Sequence, residues 1–77
     1  SINSAALAQI MNKNYASAAV TLKYVKNPDA ITEYLKTVLS ARMGNLDDAR
    51  ETLAKALTAD PALQRYADND LELIKLK

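Results

Sequence analysis

The chain of 77 residues contains no cysteine and no histidine. Disulfide frameworks, zinc sites built on those ligands, cysteine or serine–histidine nucleophiles and histidine acid–base chemistry are therefore excluded. With no cysteine, the residues also leave the redox compartment open. No apolar run approaches the roughly 18 residues of a membrane-crossing helix, so no membrane insertion is expected. No charged segment leads into an apolar stretch in the manner of a signal peptide. Charge of one sign is missing too. Ten Lys and Arg face nine Asp and Glu, a formal charge of +1. That balance argues against a nucleic-acid arm, an acidic tail or a polybasic membrane patch.

Structure breakers are equally scarce: one Gly, two Pro, and no Phe or Trp. What remains is rich in helix formers, with fourteen Ala and eleven Leu. The residues predict an all-α fold. Hydrophobic residues make up 49% and charged residues 25%, the mix of a small globular domain and not of a disordered chain.

The few breaks divide the chain. Asn12-Lys13-Asn14 interrupts two apolar-periodic stretches. Asn27-Pro28-Asp29 reads as an N-cap, a proline at the first helical position and an acid in the first turn. Gly44-Asn45 reads as a left-handed C-cap followed by a new N-cap, and Asp60-Pro61 repeats the cap-then-proline pattern. Asn69 with Glu72 resembles a capping box. Five helices are predicted, over 3–12, 15–26, 28–43, 46–59 and from Pro61 onward. The tail 70–77 alternates like a strand, but its capping signals favour a short helix. Short connections make consecutive helices antiparallel neighbours.

A 31-residue shift aligns the chain with itself. Asn14 falls on Asn45, Tyr15 on Leu46, Ala18 on Ala49, Leu22 on Leu53 and Val25 on Ala56. Each copy has a turn leading into a helix with a small residue where two backbones approach and a leucine one turn later. A period near 30 with two helices per unit marks a helical-hairpin solenoid. On these residues the chain resembles the tetratricopeptide repeat family. Its best copy lies at about 28–60, with Gly44 at the turn, Ala49 and Ala56 at the small positions, Leu53 at the large one and Asp60-Pro61 closing the unit. Residues 1–27 form a degenerate copy with Lys13 in place of the turn glycine, and 61–77 an end helix. The stretch 34–76 looks like the last repeat and end helix of bacterial cell-envelope members. The resemblance implies a short right-handed superhelix that binds another protein or peptide, with no cofactor and no catalysis. It also points to the cell envelope or periplasm.

One stretch departs from the family pattern, which would bury Glu33, Lys36, Thr37 and Ser40 of the third helix. Burying Glu33 and Lys36 unpaired would cost several kcal/mol. The local period instead puts Ile31, Tyr34, Leu35, Val38 and Leu39 in the core and the polar face outside. In the family the groove is lined by the first helix of each hairpin. Carried onto this chain, that makes Gln9, Asn12, Glu33, Lys36, Thr37 and Ser40 the candidate partner-binding residues. A merely solvated polar face accounts for them equally well.

Other constellations read blandly. Asp68, Asn69, Asp70 and Glu72 lack the glycine of a calcium loop and suit helix starts. Asp47–Arg50 and Glu51–Lys55 have the spacing of ion pairs on an exposed helix face, not of a catalytic carboxylate pair. The first 45 residues carry a slight basic excess and the remainder a slight acidic one, too small to separate head-to-tail stacking from random surface charge. Tyr15 and Tyr34 lie on apolar stripes; Tyr24 lies off its stripe and should be exposed.

The leading expectation is thus a non-catalytic interaction module. A terminal cap of a longer scaffold and an accessory helical domain of an enzyme remain as alternatives. The first helix adds one more expectation. Ile2, Ala5, Ala6, Leu7, Ala8, Ile10 and Met11 surround it on all sides, which predicts cover from an upstream repeat or from self-association with a second copy.

Overall fold

A computed structural model describes residues 1–77. It contains α1 (Ile2–Met11), α2 (Tyr15–Lys23), α3 (Ala30–Arg42), α4 (Leu46–Ala59), α5 (Leu63–Asp68) and a C-terminal 3-10 helix (Leu71–Leu76), with no strand. The all-α reading is correct, and α4 falls within its predicted limits.

The helix ends explain themselves residue by residue. Asp29, not Asn27, caps α3: its carboxylate accepts from the Thr32 backbone N–H at 2.8 Å, and the Asp29 N–H donates back to the Thr32 hydroxyl at 3.2 Å. Reciprocal capping of this kind satisfies two donors that a helix start leaves free. Pro28 holds Asn27 away from helical geometry, and α2 ends at Lys23, before the predicted residue 26. The helix α5 starts two residues after Pro61. Asp70 rather than Asn69 caps the 3-10 helix, accepting from the Glu72 N–H at 2.9 Å.

The two turns of the internal repeat are one structure built twice. Lys13 has φ 63° and Gly44 has φ 80°. The next residues match as well, with φ −86°, ψ 68° at Asn14 and φ −87°, ψ 73° at Asn45. In each turn the asparagine N–H reaches back to a carbonyl five residues earlier, Asn14 to Gln9 and Asn45 to Ser40, both at 2.8 Å. This is the left-handed helix stop that glycine favours; Lys13 adopts it without being glycine. In the helices that follow, Ala18 and Ala49 are both fully buried.

Around these turns the chain forms two helical hairpins, α1–α2 and α3–α4. The helix α3 packs against α1, α2, α4 and the 3-10 helix, so it is the core of the molecule. The last two elements fold back over α3 and α4 instead of extending the stack. The radius of gyration, 11.3 Å, accordingly equals the roughly 11.5 Å of a compact globule this size.

Burial of α3 corrects the sequence reading. Thr37 is completely buried, and Thr32 nearly so, while Ile31 is 46% exposed. The Thr37 hydroxyl donates to the Glu33 carbonyl at 2.9 Å and accepts from the Thr52 hydroxyl at 2.8 Å. A hydroxyl paired in this way loses little on burial, so the polar side of α3 can face α4. Glu33 and Lys36 are only partly buried, and Lys36 Nζ pairs with Glu33 Oε1 at 3.4 Å, while Glu33 Oε2 is buried without a hydrogen-bond partner.

Candidate functional site

An open apolar groove of about 260 Å³ runs between α1, α3 and α5. Tyr34, Leu35 and Val38 of α3 form its floor, all nearly buried. Its rim carries Leu7 and Met11 of α1, Ile31 of α3 and Tyr66 of α5, all exposed. Helical spacing explains the α1 pair: Leu7 and Met11 are four residues apart and share a face, whereas Ala6 and Ile10 share the buried one. The rings of Tyr34 and Tyr66 meet edge to face at 5.5 Å and close one end.

Polar clamps hold the walls of this groove. At one end Glu72 receives two hydrogen bonds from Arg42, from Nε at 2.9 Å and from Nη2 at 2.6 Å. Nη1 of the same guanidinium donates to the Ile10 carbonyl, near the end of α1, at 3.2 Å. One side chain on α3 thus ties α1 to the C-terminal 3-10 helix. The hydrogen bonds from Arg42 hold the Glu72 carboxyl below its usual range, and Glu72 in turn raises the Arg42 value. The Tyr34 hydroxyl donates to Asp70 at 2.7 Å; burial first, and then this bond, push its ionisation well above the usual tyrosine value. At the far end Asn3 of α1 donates to Asp29 at 3.1 Å and accepts from the Thr32 hydroxyl at 2.9 Å. The Thr32 backbone N–H, with the Thr32 and Asn3 side chains, lowers the Asp29 value.

The six residues singled out from the sequence do not form one surface. Gln9 lines a shallow crevice with α2, and Asn12 caps the end of α1 in the open. Lys36 and Ser40 line a separate crevice between α2, α3 and α4, beside the Glu33–Lys36 pair. Thr37 lies beneath the surface and cannot touch a partner. None of the six lines the apolar groove. The groove residues Leu7, Ile31 and Tyr34 stood in the sequence as ordinary apolar periodicity. The available signal was the excess of apolar residues around α1, more than α2 and α3 can cover. Tyr24 is exposed as expected, at 72%.

No group of three or more acidic side chains converges in a way that could hold a metal ion, and no helix is long and apolar enough to cross a membrane. Comparisons with family models, with curated proteins and with solved structures find no match to this chain.

Proposed function

We propose that this chain is a non-catalytic protein-interaction module of tetratricopeptide type, and that its contact surface is the apolar groove between α1 and α3. The observation that carries this reading is the exposed rim of Leu7, Met11, Ile31 and Tyr66 around a nearly buried floor. Apolar side chains that converge on a concave surface gain free energy when covered, and leucine, methionine and tyrosine are effective anchors there. The only charged group in the lining, Glu72, is already neutralised by Arg42, so the groove favours an apolar ligand face over a charged one. The partner is therefore an amphipathic segment of another protein that lays its apolar side along α1 and α3. The 31-residue repeat, with its twin turns, supports the tetratricopeptide-type reading.

The test is selection of peptides from a displayed random library on the immobilised chain. Amphipathic sequences that bind the wild-type chain and fail on a folded Ile31→Asp variant support the groove. Selected peptides that bind Ile31→Asp equally well place the contact elsewhere and contradict it.

A further inference from the structure

The guanidinium of Arg42 uses all five of its N–H groups, and four of them meet oxygen. Nε and Nη2 donate to Glu72 at 2.9 and 2.6 Å, and Nη1 donates to the Ile10 carbonyl at 3.2 Å and to the Tyr15 hydroxyl at 3.5 Å. The remaining Nη2 hydrogen faces the Met11 sulfur at 3.8 Å. A thioether is a weak acceptor, so this donor is the least satisfied one in the clamp. The rigid fork cannot turn toward a better partner without releasing Glu72.

Met11 also stands open to solvent. It is 50% exposed at the groove rim, and Met43, the chain's other methionine, is 50% exposed as well. A dissolved peroxide reaches both. Their surroundings differ: the one hydrogen bond to sulfur in the molecule is that from Arg42 to Met11. Oxidation ordinarily weakens a methionine contact, because it turns an apolar side chain into a polar one. At Met11 a charged donor already stands beside the sulfur, and an added oxygen brings that contact to ordinary hydrogen-bond length. The rotatable bonds of the side chain let the oxygen turn onto Nη2 whichever lone pair is oxidised.

We infer that Met11 is an oxidative modification site whose sulfoxide Arg42 holds in place, and that this modification turns the groove against an apolar partner. A sulfur lone pair attacks one oxygen of hydrogen peroxide. The S–O bond forms, the O–O bond breaks, and the hydroxide that leaves takes the proton of the transferred oxygen to become water. The sulfur loses two electrons and the peroxide gains them. The sulfoxide oxygen then accepts from Nη2, so the tie between α1, α3 and the 3-10 helix gains a charge-assisted hydrogen bond. Arg42 satisfies only one lone pair of that oxygen, and the other needs water. An apolar face laid over the rim strips this water away, which weakens binding by about tenfold or more. The effect on a partner rests on the groove being the contact surface; the effect on the clamp does not.

The experiment treats two single-methionine chains with hydrogen peroxide: Met43→Leu, which keeps Met11, and Met11→Leu, which keeps Met43. Thermal melting needs no partner. Oxidation should lower the melting temperature of Met43→Leu by about 4 °C or more less than it lowers that of Met43→Leu carrying Arg42→Lys, whose ammonium lacks the fork. An equal or greater loss with Arg42 in place would overturn the inference. So would a Met11 that resists peroxide under conditions that fully oxidise Met43. Should the Arg42→Lys chain fail to fold, the Arg42 Nη–H resonances of nitrogen-15-labelled Met43→Leu decide: they should shift on oxidation, and unmoved resonances would overturn the inference. The second readout is a library-selected peptide that fails on Ile31→Asp. Its Kd should rise about tenfold or more on oxidation of Met43→Leu and stay unchanged on oxidation of Met11→Leu. An unchanged Kd for oxidised Met43→Leu would overturn the effect on the groove. If no selected peptide depends on Ile31, the groove reading itself fails, and melting and resonance shifts still decide whether Arg42 holds the sulfoxide.

Discussion

The two hairpins share a turn but differ in their surroundings. In the second, α3 is enclosed by α1, α2, α4 and the C-terminal 3-10 helix. In the first, α1 keeps only two residues buried, Ala6 and Ile10. Equivalent positions therefore carry different duties. Thr37 is sealed and hydrogen-bonded to Thr52, while its counterpart Ala6 needs no partner. Val38 belongs to the groove floor, while its counterpart Leu7 stands exposed on the rim. The difference teaches that a repeat fixes backbone geometry, and that neighbours decide which side chains become core and which remain free to bind.

The sharpest test of this comparison uses the equivalent leucines. Leu22 is 1% exposed between the hairpins, whereas Leu53 is only half-buried. Leu22→Ala should cost about 2–5 kcal/mol in urea unfolding. Leu53→Ala should cost less, about 1–2 kcal/mol, because part of its surface is already wet. A larger loss at Leu53 would reverse the assignment of which hairpin interface carries the core.

Next in size is overpacking at the helix crossings. Ala49 and Ala18 are both fully buried where helices of one hairpin meet. Either Ala→Leu change should destabilise by about 1–3 kcal/mol. An unchanged melting temperature for Ala49→Leu would show that α3 and α4 do not need the small residue.

The twin turns give a paired prediction with opposite signs. Gly44→Ala should cost about 1 kcal/mol, wholly from its positive φ, since nothing lies within 4 Å of an added Cβ. Lys13→Gly should stabilise by about 0.5–1 kcal/mol by relieving the same backbone preference. Loss of stability in Lys13→Gly would mean that the two turns are not equivalent in solution.

The smallest effect is electrostatic. Asp29 and Glu72 are both held below their ordinary values of 3.8 and 4.5 by the hydrogen bonds they accept. Their contribution is therefore complete above those ordinary values and disappears as pH falls through the lowered folded ones. Thermal melts between pH 6 and pH 2 should show this acid loss reduced in Glu72→Gln, about 1 kcal/mol or less for so exposed a pair. An identical pH profile in the variant would remove Arg42–Glu72 from the account. Tyr34 acts at the other end of the scale: its raised value means stability is lost as pH climbs above the ordinary tyrosine value of 10.0.

Much of this was legible in the residues, for identifiable reasons. Gly44-Asn45 and Asp60 bracket α4 with strong stop and start signals, so its limits can be read directly. The repeat shift placed Lys13 on Gly44, and the matching left-handed turns follow from it. The face of α3 was misread because apolar periodicity gives a threonine no credit for a buried hydrogen bond, and Thr37 has two. Ile31 fits the helical stripe yet lies at its edge, where the first turn of α3 meets the groove. The groove depends on α5 folding back beside α1 and α3, a long-range placement that local spacing does not encode.

The central claim is that the groove, and not the polar side of α3, is the contact surface. Its most direct test is a two-dimensional NMR titration of the isotope-labelled chain with a library-selected amphipathic peptide. The account predicts that shift changes concentrate at Leu7, Met11, Ile31, Val38 and Tyr66, with little change at Lys36, Ser40 and Asp48. Changes concentrated instead along Lys36, Ser40 and Asp48, with Leu7 and Ile31 unmoved, would contradict it.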